Sequence, residues 1–257
     1  MTTFLLPPRL GVRVDGRHSL THYRVHPRII LPRPLLWRNP IPPFDPQLQQ
    51  WLDTEYSAGR LMRPLDALNA LRTNLRDFLT RYPIQNNFDC HASGLITAYL
   101  GNNGSDAQRP GGILGVHRMH TTQAFTLQNA PTQGAANFTA YGVHMGRSQA
   151  GPQWFELPQS GPDIMLTAKL TGCTFVARRV GQVTEVAHLQ PEDENGVELH
   201  QRMQDAGHRA YGRLRYDLDS RSINMIGVRR GAQWEIYAQK IEKHQLAIRS
   251  VTKVFPG

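Results

Sequence analysis

Cysteine is almost missing from this chain: Cys90 and Cys173 are the only two. That excludes a disulfide framework and a zinc site built on cysteines, and fits a reducing working environment. Long apolar runs are missing too. No stretch approaches the roughly 18 apolar residues that a membrane-spanning helix needs, and Arg9 and Arg13 fall where a signal peptide would carry its apolar core. A soluble protein is expected, with export through a dedicated injection apparatus left open. Lysine is scarce, limited to Lys169, Lys240, Lys243 and Lys253. There is no repeat and no low-complexity tract. Gly111-Gly112-Ile113-Leu114-Gly115 lacks the lysine of a phosphate loop and precedes a strand, so it reads as a turn.

What the chain does have is positive charge, +9 over 257 residues with a pI near 10.0, supplied mainly by arginine. Arginine suits acidic protein surfaces, nucleic acid and phospholipid head groups. The charge is spread along the sequence rather than gathered into a block, which gives a nucleic-acid arm little support while leaving nucleic-acid binding open. Nine of the 18 prolines and seven arginines lie in the first 46 residues, against Asp15 and Asp45 as the acids. Residues 1–46 therefore read as a Pro/Arg-rich arm, docked on the body or serving as a secretion segment, and 47–257 as the folded domain.

From Pro46 the period is helical, with Leu48, Trp51, Leu52 and Tyr56 on one side. A second stripe follows at Leu61, Leu65, Leu68, Leu71, Leu75, Phe78 and Leu79, ended by Pro83. Beyond residue 84 turn signals punctuate short alternating runs. The expected strands are Ile113–Met119, Ala124–Gln128, Asn137–His144, Trp154–Leu157 and Ile164–Leu170, then a hairpin at 174–189. A helix is expected from Pro191 to about Ala206. A meander follows, at Tyr216–Leu218, Ile223–Arg229, Trp234–Lys240 and Leu246–Val254. The sum is an α+β fold: a two-layer, mainly antiparallel β-sandwich with peripheral helices and the N-terminal arm.

The hairpin carries the chemistry. Two β-prone runs, Thr174 to Val180 and Val183 to Leu189, flank Gly181. With the reversal centred between Val180 and Gly181, Arg179 meets Gln182, Ala177 meets Thr184, Phe175 meets Val186, and Cys173 meets His188. Directly opposed side chains share a face with Cβ atoms about 5 Å apart. A thiol next to an imidazole that takes its proton is an activated nucleophile, and Gly172 lets a substrate carbonyl approach backbone amides that hold an oxyanion. A buried structural cysteine beside an ordinary strand histidine is the competing reading.

Other constellations are weaker. Cys90 and His91 are adjacent, so on a strand they face opposite ways. His117, His120 and His144 have no metal-ligand spacing for strands and read as surface residues, so no metal is expected. Asp217, Asp219 and the acids at 192–194 lack the spacing of a nuclease site.

At Leu170-Thr171-Gly172-Cys173, with a histidine fifteen residues on, the sequence resembles the catalytic domains of the cytotoxic necrotizing factor toxins and related lethal-factor deamidases. Their pattern is Leu-Ser-Gly-Cys followed by a strand-borne histidine. The match spans about 20 of the 257 residues and departs at Thr171, which keeps the hydroxyl. The resemblance implies a β-sandwich with outer helices that hydrolyses a glutamine side-chain amide of a host protein, often a small GTPase, without a cofactor. It implies Cys173 as nucleophile, His188 as general base and acid, and the Gly172 and Cys173 amides as oxyanion donors. Some relatives orient the histidine with a backbone carbonyl and others with a threonine six residues before the cysteine, which falls on Thr167. An injected toxin or effector working in a host cytosol is the resulting expectation. A cysteine peptidase or transglutaminase using the same pair, and a non-enzymatic basic binding module, are the alternatives.

Overall fold

The structure, a computed structural model, describes residues 46–103, 123–216, 221–242 and 246–255. The arm expected at 1–46 lies outside them except for Pro46, and so do the strand expected at Ile113–Met119, His117, His120, Asp217 and Asp219.

The chain begins with three helices, α1 (Pro46–Ser57), α2 (Pro64–Thr73) and α3 (Leu75–Arg81). The stripe from Leu61 to Leu79 is split because Asn74 leaves helical geometry at φ −147° and its side chain accepts the Asp77 amide at 3.1 Å, which starts α3. Strands follow: β1 (Ile84–Asn86), β2 (Gly94–Asn102), β3 (Phe125–Gln128), β4 (Ala136–Val143), β5 (Met145–Arg147), β6 (Phe155–Leu157), β7 (Ile164–Thr167), β8 (Thr174–Val180) and β9 (Val183–Gln190). Helix α4 (Gly196–Asp205) starts five residues later than Pro191, because Asn195 caps the Val197 and Glu198 amides while Glu198 returns a bond to the Asn195 amide. Strand β10 (Arg209–Tyr211), a 3-10 turn at Arg213–Arg215, and strands β11 (Arg221–Arg230), β12 (Gln233–Glu242) and β13 (Ile248–Phe255) complete the order.

Eight strands form one sheet, ordered β1-β3-β2-β4-β7-β11-β12-β13. Five form the other, β10-β8-β9-β5 with β6 also against β9. Three pairings, β1/β3, β4/β7 and β5/β9, are parallel and the rest antiparallel. The fold is thus α+β with a sheet-dominated core, as the sequence pattern implied.

Period-2 alternation explains how one large sheet serves two cores. Ala140, Ile164, Leu166, Ile226 and Val228 face α2 and α3, which supply Leu68, Leu71, Leu75, Phe78 and Leu79. Their neighbours Tyr141, Val143, Met165 and Met225 face the small sheet, where Cys173, Phe175, Ala177 and Val186 meet them. The outer face of the small sheet packs Val176, Ala187 and Leu189 on Leu199 and Met203 of α4.

One buried amide fastens the helices to the large sheet. Gln239 of β12, 0 % exposed, donates from Nε2 to the Leu79 and Tyr82 carbonyls at 2.7 and 2.8 Å, while its Oε1 accepts the Ile84 amide and Asn224 Nδ2 at 3.0 and 3.1 Å. Leucine at this position would fill similar space but strand two carbonyls and an amide in a dry core. Gln239→Leu is therefore expected to cost about 3 kcal/mol or more, read as a lowered denaturation midpoint in urea.

Candidate active site

The β8/β9 hairpin forms, with a register two residues away from the expected one. Val180 pairs with Val183, Arg179 with Thr184, Ala177 with Val186, and Phe175 with His188. The loop is Gly181-Gln182, with Gly181 at φ +59° and Gln182 not in the left-handed region, the pattern of a type II′ turn. The expected loop placed β-branched Val180 where positive φ is needed, and sterics rule that out. Cys173 therefore lies diagonal to His188 rather than opposite it, a relation that separates residues by about 7 to 8 Å, with the Cβ atoms somewhat closer. A shift of two preserves the face. Cys173 belongs to the core between the sheets, and His188 shares the inward face of β9 with Val186.

His188 reaches across to the large sheet. Its Nδ1 lies 2.7 Å from Oγ1 of Thr167, the last residue of β7, and the same hydroxyl donates to the Val143 carbonyl at 2.7 Å. A hydroxyl has one proton. With it committed to Val143, the hydroxyl must accept from Nδ1–H, so His188 is the Nδ1–H tautomer and Nε2 carries the lone pair. Nε2 is buried and has no hydrogen-bond partner among the described residues. Thr167, 0 % exposed, thus orients His188 and fixes its tautomer.

Strands β4 and β5 explain how the two sheets meet here. The chain leaves the large sheet at Val143, paired with Thr167, and joins the small sheet at Met145, paired with His188. His144 is the residue between. Met145 Sδ lies 3.4 Å from Cys173 Sγ and covers the thiol. On its other side, the Cys173 carbonyl accepts the Tyr216 hydroxyl at 2.7 Å. Thr171 and Gly172 form a bend before β8, so the Gly172 and Cys173 amides lie outside the β8/β9 ladder. Sequence reasoning missed Met145 and Tyr216: the strand that holds Met145 is set by its pairing with His188, more than forty residues away, and Tyr216 was expected to begin a strand.

Burial governs the protonation of the pair. Cys173 is 6 % exposed and His188 1 %. Burial pushes the Cys173 thiol up to about 11, offset in part by a backbone hydrogen bond from Thr171. Burial likewise pushes His188 down to about 4, with His144 lowering it further and Asp89 opposing. At neutral pH the resting pair is therefore a neutral thiol and a neutral imidazole, not the ion pair that thiol activation invites.

The other sequence candidates are elsewhere engaged. Cys90 Sγ donates to the Ala92 carbonyl at 2.7 Å, and His144 Nδ1 lies 2.6 Å from the Cys90 carbonyl. Glu192, Asp193 and Glu194 are bound to Arg147, Gln149 and Arg202. Among the described residues no group of His, Cys, Asp or Glu is arranged to hold a metal, and no helix is long and apolar enough to cross a membrane. No protein-family model matches the chain, and no curated protein matches it in sequence.

Two measurements check this geometry. The folded state resists protonating His188 below its ordinary value, whereas the unfolded chain accepts that proton near pH 6.5, so stability falls as pH drops from about 6.5 towards 4. His188→Gln should flatten that part of the melting-temperature profile. Met145→Ala should uncover the thiol and speed alkylation of Cys173 by iodoacetamide, roughly tenfold at fixed pH if exposure limits the reaction. An unchanged rate would show that Met145 does not cover it.

Proposed function

We propose that the chain is a Cys/His protein-glutamine deamidase, acting as an injected toxin or effector on a host protein. The observation that carries this reading is the Thr167 hydroxyl bridge: it leaves the His188 Nε2 lone pair on the inward face that Cys173 shares. The three residues stand at the spacings of the deamidase pattern, on a β-sandwich with outer helices.

In the proposed reaction the Cys173 thiol attacks the carboxamide carbon of a glutamine side chain, and His188 Nε2 takes the thiol proton as the C–S bond forms. The neutral resting state makes proton transfer part of the attack rather than a step before it. The imidazolium then gives its proton to the departing nitrogen, and ammonia leaves a thioester. Water attacks the thioester, one of its protons passes to His188 and on to the sulfur, and glutamate is released. Amides at the bend before β8 are the candidates to hold the oxyanion. An amine in place of water would give transglutamination.

Recession of the thiol favours a side-chain amide over peptide cleavage. A peptidase lays a substrate backbone across its nucleophile, whereas a sulfur that is 6 % exposed under Met145 suits a carboxamide at the end of two methylenes. The target is expected to be a protein whose glutamine projects from its surface, a small GTPase being the kind the resemblance implies.

Mass spectrometry of host-cell proteins incubated with the chain tests the reaction, because deamidation leaves the chain length intact while peptidase action makes new termini. Cys173→Ser should abolish the modification, a loss of at least roughly 10³-fold. Thr167→Val should lower the rate roughly a hundredfold through misorientation of His188, and Thr167→Ser should restore most of it. Full activity in Thr167→Val would remove the hydroxyl from the mechanism, and an effect on host proteins that survives Cys173→Ser would favour a binding module.

A further inference from the structure

Seven of the described arginines pair with a carboxylate: Arg60 with Glu55, Arg72 with Asp163, Arg81 with Asp77, Arg147 with Glu192, Arg178 with Glu185, Arg202 with Glu194 and Arg249 with Glu242. The segment Arg209-Ala210-Tyr211-Gly212-Arg213-Leu214-Arg215 gathers three that do not. Its three arginines have no carboxylate partner among the described residues, and Arg213 Nη1 is buried without any hydrogen-bond partner.

Two of those arginines, Arg209 and Arg215, line a cavity of about 730 Å³ where the edge strand of the small sheet, β10, meets the edge strand of the large one, β13. Lys253 lines it from β13, held by Glu235 at 2.7 Å, and Ser250 and Thr252 add hydroxyl groups. No aspartate or glutamate among the described residues lines it. Tyr211 forms part of its wall; burial holds its phenol above the ordinary value, opposed by a hydrogen bond with Thr252 and by the Arg215 charge. The cavity thus gathers cations and hydroxyl groups from both sheets, with two charges unneutralised by any described residue. Like charges held together without counterions cost free energy, and a bound polyanion relieves that cost.

We propose that this cavity is an anion site for a compact ligand bearing clustered phosphate groups, held by Arg209, Arg215 and Lys253 with Ser250 and Thr252 as hydroxyl donors. Arginine forks match phosphate oxygens in pairs, and the volume lies in the range of small-molecule sites. The ligand is either a free polyphosphorylated metabolite or the head group of a phosphorylated lipid, which share this chemistry. The site is separate from Cys173 and His188 and does not rest on the deamidase reading.

Isothermal titration calorimetry with tripolyphosphate at low ionic strength is the test, run on the full chain and on two charge-matched double variants. Arg209→Gln/Arg215→Gln removes the cavity cations. Arg63→Gln/Arg76→Gln removes two cations, one at the start of α2 and one in α3, on the far side of the large sheet. The expected result is one saturable site in the unchanged chain, weakened roughly tenfold or more in the cavity variant and retained in the control. All four positions are outside the cores, and circular dichroism verifies folding. No saturable binding, or equal weakening in both variants, overturns the proposal and leaves only the general attraction of a basic protein. Sedimentation with phosphatidylcholine vesicles, with and without phosphatidylinositol bisphosphate, then separates the sources. Pelleting that the cavity variant loses assigns the site to a lipid head group, and tripolyphosphate binding without pelleting assigns it to a free ligand.

Discussion

One hydroxyl group sets the state of the whole centre. Thr167 Oγ1 spends its proton on the Val143 carbonyl and accepts the Nδ1–H of His188, both at 2.7 Å. A carboxylate in its place would hold His188 more strongly and favour the imidazolium, as an opposite charge does. A neutral hydroxyl fixes the tautomer and orientation without stabilising charge. The imidazole is left neutral, with a bare Nε2, inside a core where both sheets contribute side chains.

That hydrogen bond works only because the two sheets are in register with each other at this point. The parallel pairing of Val143 with Thr167 and of Met145 with His188 makes one continuous strand serve both sheets, with His144 as the crossing residue. The crossing puts the ends of β7 and β9 within one hydrogen bond of each other. It also sets Met145 over the thiol as a consequence of the same register. The fold's connectivity, rather than any local sequence signal, thus assembles the side chains around Cys173.

This division explains what could be read from the sequence. The hairpin was legible because alternation and a glycine turn are local, and the face shared by Cys173 and His188 survived because the register error was an even number of residues. The loop type that corrects the register was also local: only glycine tolerates the first loop position, which forces Gly181 rather than Val180 into it. By contrast β1, β5 and β10, three residues each, were not expected, and neither was the nine-residue β2. Their existence depends on partners far away in the chain, as with β1, whose Ile84 is bound through Gln239 and Asn224. Thr167 entered through resemblance alone, since nothing in Ile164 to Thr167 marks its hydroxyl as a bridge.

Burial is the cost of this arrangement and also its means of selectivity. Burial pushes the thiol up to about 11 and the imidazole down to about 4, so both rest neutral and proton exchange between them is opposed. The sulfur is accordingly inert towards solvent oxidants and casual electrophiles while the core stays closed. The proposed reaction requires a group that converts the nascent thiolate into a bond as the proton moves, with donors ready for the oxygen that gains charge. The bend at Thr171 and Gly172 is where such donors stand free of the ladder, and the Tyr216 hydroxyl on the Cys173 carbonyl steadies that bend from the opposite side. In the proposed reaction, the same desolvation that keeps the thiol protonated at rest would strengthen each of those electrostatic contacts once a substrate fills the space.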